Sequence, residues 1–304
     1  MNQLHNSQHD TVLALVRCPD CSNRLVPVNA CSYACTGCER RYSIDSGVIV
    51  LLPKQLDLNK QAEELTWQTH EHEGKDKPAW MALVHKRDEI FHFITHIQTD
   101  INPKGNVLEI GSGSCWASSL IKMKTPGCRI VASDVSPAAL QKGMQVCSIL
   151  GAIPDFFIAC DVERLPFNDG SFDLCFGNAI IHHLSDTVMG MAEVYRVLKQ
   201  GGIYIGAGEL ASGRLLSMVW RSKLGLAGKR GQQLGVNERI YTIDQWRNLF
   251  LQAGFKNVKI YFQPQWQHSL YHWFPPLYYR LIGNFPEVIL RHMPCAIKIT
   301  VEKD

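Results

Sequence analysis

The segment Asn106-Val-Leu-Glu-Ile-Gly-Ser-Gly-Ser-Cys115 constrains this chain more than any other. It predicts a buried β-strand that ends in an acidic residue, followed by a glycine turn and a helix over 117–124. Glycines at a strand-to-helix turn let a ligand approach the backbone more closely than a side chain would allow. The segment therefore indicates a nucleotide-type ligand at the end of a strand.

Three further predicted strands end in polar residues. The second ends at Asp134, 25 positions after Glu109, near the spacing at which a carboxylate reaches a ribose diol. The third ends in Asp161, and the fourth, over 172–178, leads into Ala-Ile-Ile-His-His-Leu. Strands and helices alternate at short spacing from Asn106 onward, which predicts a doubly wound α/β sheet.

With these residues the chain resembles the class I S-adenosylmethionine-dependent methyltransferases, in the branch similar to small-molecule methylases, over about 103–262 and 296–302. The resemblance implies a Rossmann-like sheet of seven strands that binds S-adenosylmethionine. It implies that Glu109, Gly111 and Gly113 border the methionine part of the cofactor. The other implied cofactor-binding residues are Asp134 at the ribose hydroxyls, Asp161 and Val162 at the adenine edge, and the neighbouring Val135 and Asn178.

Two positions depart from the family pattern. Cys115 stands where the family often has a third glycine, and the segment 199–202 lacks the proline common before its glycine pair. The rival ligand is NAD, whose fingerprint requires a small third residue where this chain has Trp116. A dehydrogenase is therefore disfavoured. A glycine turn that serves folding alone is disfavoured too, because several acids stand at strand ends.

Two Cys-x-x-Cys pairs, Cys18–Cys21 and Cys35–Cys38, are separated by 13 residues. Each pair can present two thiolates to one metal ion, and two pairs complete a tetrahedral zinc site. The region 12–53 resembles the zinc ribbon fused to the N-terminus of some bacterial methyltransferases. Four thiolates leave no open coordination position, so the zinc is expected to be structural and Cys31 not to be a ligand. A redox role is disfavoured because neither pair adjoins a predicted strand–helix unit.

The remaining chain is predicted to form two regions. Residues 54–100 form a helical linker and a cofactor-covering helix, the latter over 80–97, where apolar residues recur at helical spacing. Residues 101–304 form the methyltransferase domain. Within it, Thr242-Ile-Asp-Gln245 is a capping box that predicts the start of a helix.

Two insertions, 210–240 and 263–294, interrupt the domain and are predicted to cover the site. The first is rich in basic residues: Arg214, Arg221, Lys223, Lys229 and Arg230. The second is rich in aromatic residues: Trp266, Tyr271, Trp273, Phe274, Tyr278, Tyr279 and Phe285. Its composition indicates a lipophilic or aromatic acceptor, or peripheral contact with a membrane surface. Ordinary capping of the sheet edge is the alternative for both insertions.

The candidates for proton transfer follow the fourth strand. Methyl transfer from a sulfonium requires alignment of the acceptor and, where the acceptor carries a proton, a base. His182 is the predicted catalytic base because imidazole titrates near neutral pH. Asp186, four residues later, is predicted to share a helix face with His182 and to orient it. Local packing is the alternative role for His182 and His183.

Composition limits the binding partners and the cellular compartment that can be expected for the protein. The net charge of +3 neither requires nor excludes nucleic acid. The N-terminal residues lack a signal-peptide pattern, no run of about 18 apolar residues occurs, and 11 cysteines suit a reducing compartment. A cytoplasmic protein is therefore expected.

The predicted function is S-adenosylmethionine-dependent methylation of a small, lipophilic or aromatic acceptor at O, N or C. One alternative is methylation of a ring nitrogen in an RNA base, with the ribbon docking RNA. The segment 178–181 replaces the Asn/Asp-Pro-Pro-aromatic motif of nucleic-acid amino methylases, which disfavours amino groups of bases. The other alternative is a scaffold protein that keeps the fold without catalysis.

Overall fold

The computed structural model describes residues 10–69, 73–74, 76–211, 239, 241–263, 285–291 and 295–304. The described strands lie in one mixed sheet, in the order β1-β2-β3-β4-β7-β6-β5-β8-β9-β11-β10. The strands are β1 (Leu25–Asn29), β2 (Ser32–Cys35), β3 (Arg41–Asp45), β4 (Val48–Val50), β5 (Asn106–Ile110), β6 (Arg129–Asp134), β7 (Phe156–Ala159), β8 (Phe172–Asn178), β9 (Leu198–Ala211), β10 (Lys259–Phe262) and β11 (Cys295–Glu302).

The seven strands β5 to β11 confirm the predicted seven-stranded sheet. β7, β6, β5, β8 and β9 are parallel neighbours, and β11 pairs antiparallel with both β9 and β10. The chain runs outward from β5 to β7 and then returns to β8 on the other side of β5. This reversal is the topological switch point at which open α/β sheets bind their ligands, beyond the carboxyl ends of the strands.

The helices lie on both faces of the sheet or across its edge, and short turns of other helix types connect them. The α-helices are α1 (Leu58–Thr69), α2 (Ala79–His85), α3 (Arg87–His92), α4 (Trp116–Lys124), α5 (Pro137–Leu150), α6 (Thr187–Val197), α7 (Ile243–Gln252) and α8 (Glu287–Leu290). A π-helical turn follows α3 at Phe93–Ile97, and 3₁₀ turns occupy Val162–Arg164 and Ile181–His183.

Two helix predictions can be compared with the structure in detail. The helix predicted over 80–97 is present, but it is divided at Lys86 and ends as the π-helical turn. The predicted capping box begins α7 as expected. The Thr242 hydroxyl accepts a hydrogen bond from the Gln245 amide, and the Gln245 side chain accepts one from the Thr242 amide. These two bonds satisfy amide groups that a helix start otherwise leaves unpaired.

The N-terminal ribbon is joined to the large sheet through its last strand. β1 to β4 form an antiparallel meander, and β4 then pairs in parallel with β7, with Ile49 opposite Ile158. Val48 and Ile49 are buried by this pairing. The ribbon thus covers what would otherwise be an open strand edge.

Apolar residues fill both faces of the sheet. On one face Phe250 of α7 packs against Tyr204 of β9, and Trp246 of α7 belongs to the same buried cluster. On the other face Phe93 makes edge-to-face contacts with Trp116 and Phe176. These contacts fix the helices against the strands whose ends carry the polar residues described below.

Most of both insertions lies outside the described residues, namely 212–238, 240, 264–284 and 292–294. The basic and aromatic residues named above lie within these ranges, apart from Phe285. Phe285 is exposed. In the part of the chain that the structure covers, no helix has the length and apolar composition needed to span a membrane.

Candidate functional site

The glycine turn lies between β5 and α4. Gly111 has φ +58° and Gly113 has φ +49°, a left-handed conformation that favours glycine. A side chain at Gly111 would overlap Ile180, and one at Gly113 would overlap the ring of Trp67. The turn therefore packs so closely against Ile180 and Trp67 that neither position has room for a Cβ atom.

Asp134 holds this turn from the neighbouring strand. Its Oδ2 accepts a hydrogen bond from the Gly113 amide at 2.9 Å, and its Oδ1 accepts one from the Ser136 amide at 2.9 Å. Burial raises the pKa of Asp134 to about 6, although both amide bonds oppose the rise. The structure thus brings together the predicted methionine-binding and ribose-binding positions. Val135, which follows, is half-buried.

Glu109 lies below the turn and is buried. Its carboxyl group accepts a hydrogen bond from the Ser118 hydroxyl of α4. Burial raises the pKa of Glu109 to about 8. Its observed contact is therefore with the helix that follows the turn, and its predicted contact with a cofactor stays a prediction.

Asp161 lies at the end of β7, on the same edge of the sheet. Its Oδ1 accepts a hydrogen bond from the Glu163 amide, and its Oδ2 is 2.7 Å from the Lys60 ammonium. Lys60 also lies 2.9 Å from the Glu163 carboxylate. Val162 is buried in the adjoining 3₁₀ turn. The predicted adenine-edge residue is thus paired with a cation that sequence reasoning did not identify.

One face of α1 lies across the strand ends. Residues three and four positions apart share a helix face, and Lys60, Glu63 and Trp67 follow this spacing. Lys60 contacts Asp161 at the end of β7, and Glu63 lies 3.3 Å from His183. Trp67 covers Gly113. In the structure α1 is therefore the helix that lies over the glycine turn, whereas the prediction assigned the covering role to the helix over 80–97.

The helix over 80–97 contacts the site through Glu89. Glu89 of α3 accepts a hydrogen bond from the side-chain amide of Asn178, at 3.1 Å. Asn178 is the last residue of β8, so this bond lies beside the glycine turn of the neighbouring strand. Asn178 stays a predicted cofactor-binding residue.

Glu209, at the end of β9, organises the segment after β8. Its Oε1 accepts hydrogen bonds from the Ile180 and Ile181 amides at 2.9 and 2.8 Å. Its Oε2 lies 2.8 Å from His182 Nδ1. Burial alone would raise the pKa of Glu209, but the His182 ring and the two amides hold it below its ordinary value. Glu209 is fully buried, so the carboxylate depends on these three partners.

The predicted pairing of Asp186 with His182 is wrong. His182 lies in the 3₁₀ turn at Ile181–His183, whereas Asp186 is the N-cap of α6 and accepts a hydrogen bond from the Met189 amide. The two residues are therefore not on one helix, and Glu209 occupies the position expected for Asp186. The segment 179–186 consists of irregular residues around this 3₁₀ turn and does not form an α-helix.

Sequence reasoning missed Glu209 and Lys60 as site residues. An acid at the end of the predicted fifth strand was a signal for Glu209, because β9 and β8 are neighbours in a sheet of this topology. No local pattern distinguished Lys60, which stands in a polar helix with two other charged residues, Glu63 and Glu64.

The four predicted metal ligands lie together in the ribbon. The sulfur atoms of Cys18, Cys21, Cys35 and Cys38 all lie within 4.8 Å of one another. The Cys18 and Cys38 sulfurs are 3.7 Å apart, close to the separation of about 3.8 Å that tetrahedral Zn–S bonds of about 2.3 Å imply. Cys31 is exposed and lies outside this cluster. The donor set and its spacing fit a zinc ion.

Comparisons with known proteins agree with this geometry. Residues 108–206 match the protein family described as a methyltransferase domain. Malonyl-[acyl-carrier protein] O-methyltransferase of Erwinia billingiae (strain Eb661) is 33% identical over 96 residues, which is 32% of this chain and 36% of that protein. The ubiquinone/menaquinone biosynthesis C-methyltransferase UbiE of Xanthomonas oryzae pv. oryzae (strain MAFF 311018) is 30% identical over 113 residues, which is 36% of this chain and 44% of that protein.

The fold is similar to that of solved methyltransferases. Phosphoethanolamine N-methyltransferase 2 of Haemonchus contortus, in complex with S-adenosyl-L-methionine, superposes with a TM-score of 0.54 at 15% identity, covering 83% of this chain and 61% of that one. The chain spans less than half the length of the two curated relatives named above. Residues 108–206 thus match a methyltransferase domain, and the chain shares the fold of solved methyltransferases.

Proposed function

We propose that the protein transfers the methyl group of S-adenosylmethionine to a small lipophilic or aromatic acceptor, at O, N or C. One observation carries this proposal. The glycine turn, Asp134 and the His182–Glu209 pair lie at the carboxyl ends of neighbouring strands, beside the switch point between β5 and β8. A cofactor and an acceptor bound there would meet beside an imidazole.

The residues at this edge fit the chemistry of the cofactor. When bound, S-adenosylmethionine supplies an electrophilic methyl group on a positively charged sulfur. Asp134 and Glu63 both bring carboxylates to this edge, close enough for Glu63 to raise the pKa of Asp134. Such a site favours a cation over an anion.

The protein's own groups would hold the cofactor and deprotonate the acceptor. Asp134 would bind the ribose hydroxyls, and Asp161 with Val162 would border the adenine edge. His182 would accept a proton from an acceptor that loses one on methylation. The enzyme needs no catalytic metal for this step, because the sulfonium is already a strong electrophile.

The proposed acceptor class rests on the composition of 263–294 and on two relatives. By their names, those relatives methylate an oxygen of malonyl-[acyl-carrier protein] and a carbon in ubiquinone and menaquinone biosynthesis. Both names point to an organic acceptor outside nucleic acids. The aromatic residues of 263–294 suit an apolar acceptor of this kind.

We also propose that the four-cysteine cluster binds a structural zinc ion. Amide groups of Gly37 and Cys38 lie 3.3 and 3.5 Å from the Cys35 sulfur, as donors to a thiolate. A region of about 40 residues gains much of its folding free energy from such a metal.

The function is tested by incubating the protein with methyl-labelled S-adenosylmethionine and a cell extract. The label is then partitioned between organic-soluble material, RNA and protein. We expect the label in the organic-soluble fraction, and a strong reduction with the Asp134→Asn variant. Label in RNA would replace the proposed acceptor by an RNA base. A protein that neither transfers label nor binds S-adenosylmethionine would be a scaffold.

A further inference from the structure

We propose that Glu209 is the positioning residue of the site: it fixes the His182 ring with its proton on Nδ1 and leaves Nε2 as the proton acceptor. The tautomer is a property of the protein alone. Its catalytic consequence rests on the function proposed above.

The two oxygens of Glu209 have separate partners. Oε1 accepts both backbone hydrogen bonds, from Ile180 at 2.9 Å and from Ile181 at 2.8 Å. Within the described part of the chain, the hydrogen-bond partner of Oε2 is the imidazole, with 2.8 Å between Oε2 and His182 Nδ1. One oxygen therefore stabilises the turn after β8, and the other determines which ring nitrogen carries a proton.

The direction of the bond to His182 follows from the charge of Glu209. A carboxylate accepts hydrogen bonds and has no proton to donate. Three donors around a fully buried group stabilise the ionised form, and they hold the pKa of Glu209 below its ordinary value. His182 must therefore donate from Nδ1. A neutral imidazole with a proton on Nδ1 has a lone pair on Nε2.

The remaining neighbours do not provide this control. The His183 ring lies 4.1 Å from the His182 ring, centroid to centroid, and His183 Nδ1 lies 3.3 Å from the Glu63 carboxylate of α1. The Arg239 amide donates to the His182 backbone carbonyl, not to its ring. Asp186 caps α6. Among the described residues, Glu209 is the acid in hydrogen-bond contact with the His182 ring.

The proposed orientation favours an acceptor that loses a proton, such as a hydroxyl group or an acidic C–H group. In the reaction, the acceptor atom forms a bond to the methyl carbon while the bond from that carbon to sulfur breaks. The sulfur keeps the electron pair and becomes a neutral thioether. The acceptor's proton passes to His182 Nε2, and the resulting imidazolium is stabilised by the Glu209 carboxylate.

The tautomer can be read directly from the nitrogen resonances of His182 in ¹⁵N-histidine-labelled protein. The chain contains 12 histidines, so the His182 signals are identified as those missing from a His182→Gln variant. We expect a protonated Nδ1 and an unprotonated Nε2 in the neutral ring. A wild-type ring that carries its proton on Nε2 would overturn the proposal without any variant of Glu209.

Glu209→Gln tests the cause. Because Oε1 receives both amides, the glutamine oxygen can keep those bonds while its NH₂ group replaces Oε2 opposite Nδ1. The ring would then have to accept at Nδ1 and carry its proton on Nε2. We expect the tautomer to switch in this variant. Glu63→Gln, the same substitution beside His183, is the matched control and should leave the His182 tautomer unchanged.

The activity assay separates this proposal from the proposed function. With transfer of label to the organic-soluble fraction as readout, Glu209→Gln should lower the rate by about 10²-fold or more, and S-adenosylmethionine affinity should stay within about threefold. An unchanged tautomer in Glu209→Gln, or an unchanged rate with a switched tautomer, would contradict the proposal. If the wild-type protein transfers no label, the proposed function fails while the nitrogen spectra still decide the role of Glu209.

Discussion

The thiol of Cys115 occupies the space that a side chain at Gly143 would need. Cys115 has φ +56°, a left-handed conformation that favours glycine. Here the turn carries a side chain, which is fully buried, and the facing helix α5 has the glycine instead. The departure noted in the sequence is thus matched by a second residue 28 positions away.

Gly143→Ala is therefore expected to destabilise the protein. The added methyl group would overlap the Cys115 side chain and crowd the Ser114 backbone. We expect a net loss of about 1–3 kcal/mol in the free energy of unfolding, because this overlap outweighs the helix-favouring effect of alanine. Gly127→Ala is the control, since no atom lies within 4 Å of the added group there.

A double variant tests whether Cys115 is the cause of that loss. Cys115→Gly should make room for the methyl group, so the double variant should be more stable than the two separate losses predict. A coupling energy of about 0.5–3 kcal/mol in chemical denaturation would support the pairing. Strict additivity of the two substitutions would show that Gly143 is constrained by something else.

Binding of S-adenosylmethionine should depend on pH through Asp134. Burial raises the pKa of this carboxyl group to about 6. Only the ionised form attracts a cationic ligand, so affinity should be greatest above pH 7 and should weaken as the pH falls through about 6, approaching tenfold per pH unit. Isothermal titration between pH 5 and 8 measures this dependence.

Asp134→Asn should weaken S-adenosylmethionine binding by about ten- to a hundredfold at pH 7.5. The affinity of this variant should no longer change as the pH passes through about 6. Asp173→Asn is a matched control, because Asp173 also accepts a hydrogen bond from a backbone amide but lies at the opposite end of β8. If Asp134→Asn keeps wild-type affinity, Asp134 does not contact the bound ligand.

The strands of the large sheet and the glycine turn could be predicted because they depend on local patterns. Apolar strands, a glycine pair and acids at strand ends are all visible within short windows of sequence. The capping box at Thr242 was predictable for the same reason, since its two partners are three residues apart.

The rest depends on contacts between distant parts of the chain. Glu209 and His182 are 27 positions apart, and Lys60 and Asp161 are 101 positions apart. Without knowledge of how α1 crosses the sheet, nothing in the sequence distinguishes Lys60 from the other charged residues of that helix. The parallel pairing of β4 with β7 was likewise not predictable, because a three-residue apolar strand can pair with many edges.

Substitution of two of the four clustered cysteines should remove the metal from the ribbon and lower the stability of the protein. We expect the purified protein to contain about one zinc ion per chain, and the Cys18→Ser/Cys21→Ser variant to contain none. Because β4 pairs with β7, the effect should extend to the large sheet and lower the unfolding temperature by about 5–10 °C. Elemental analysis and calorimetry measure both effects.

Cys31→Ser is the control for the ribbon, because Cys31 is exposed and outside the cluster. It should retain both zinc and stability. Wild-type protein that contains no zinc after purification without chelators would contradict the assignment.

Lys60 should stabilise the fold through the two buried carboxylates that it contacts. Its ammonium lies 2.7 Å from the Asp161 carboxylate and 2.9 Å from that of Glu163, and both acids are buried. Lys60→Met keeps much of the apolar stem but leaves two negative charges without their cation. Since removal of one member of a buried ion pair is costly, we expect a loss of about 3 kcal/mol in the free energy of unfolding at pH 7.

Lys104 is exposed and provides the control for the loss of a lysine charge. Lys104→Met should change the free energy of unfolding by less than about 0.5 kcal/mol. Adding Asp161→Asn to Lys60→Met should restore part of the loss, because one of the two uncompensated charges is then removed. A Lys60→Met variant as stable as Lys104→Met would mean that Asp161 and Glu163 do not depend on this lysine. In that case α1 would be held over the sheet by its other contacts, those of Glu63 and Trp67.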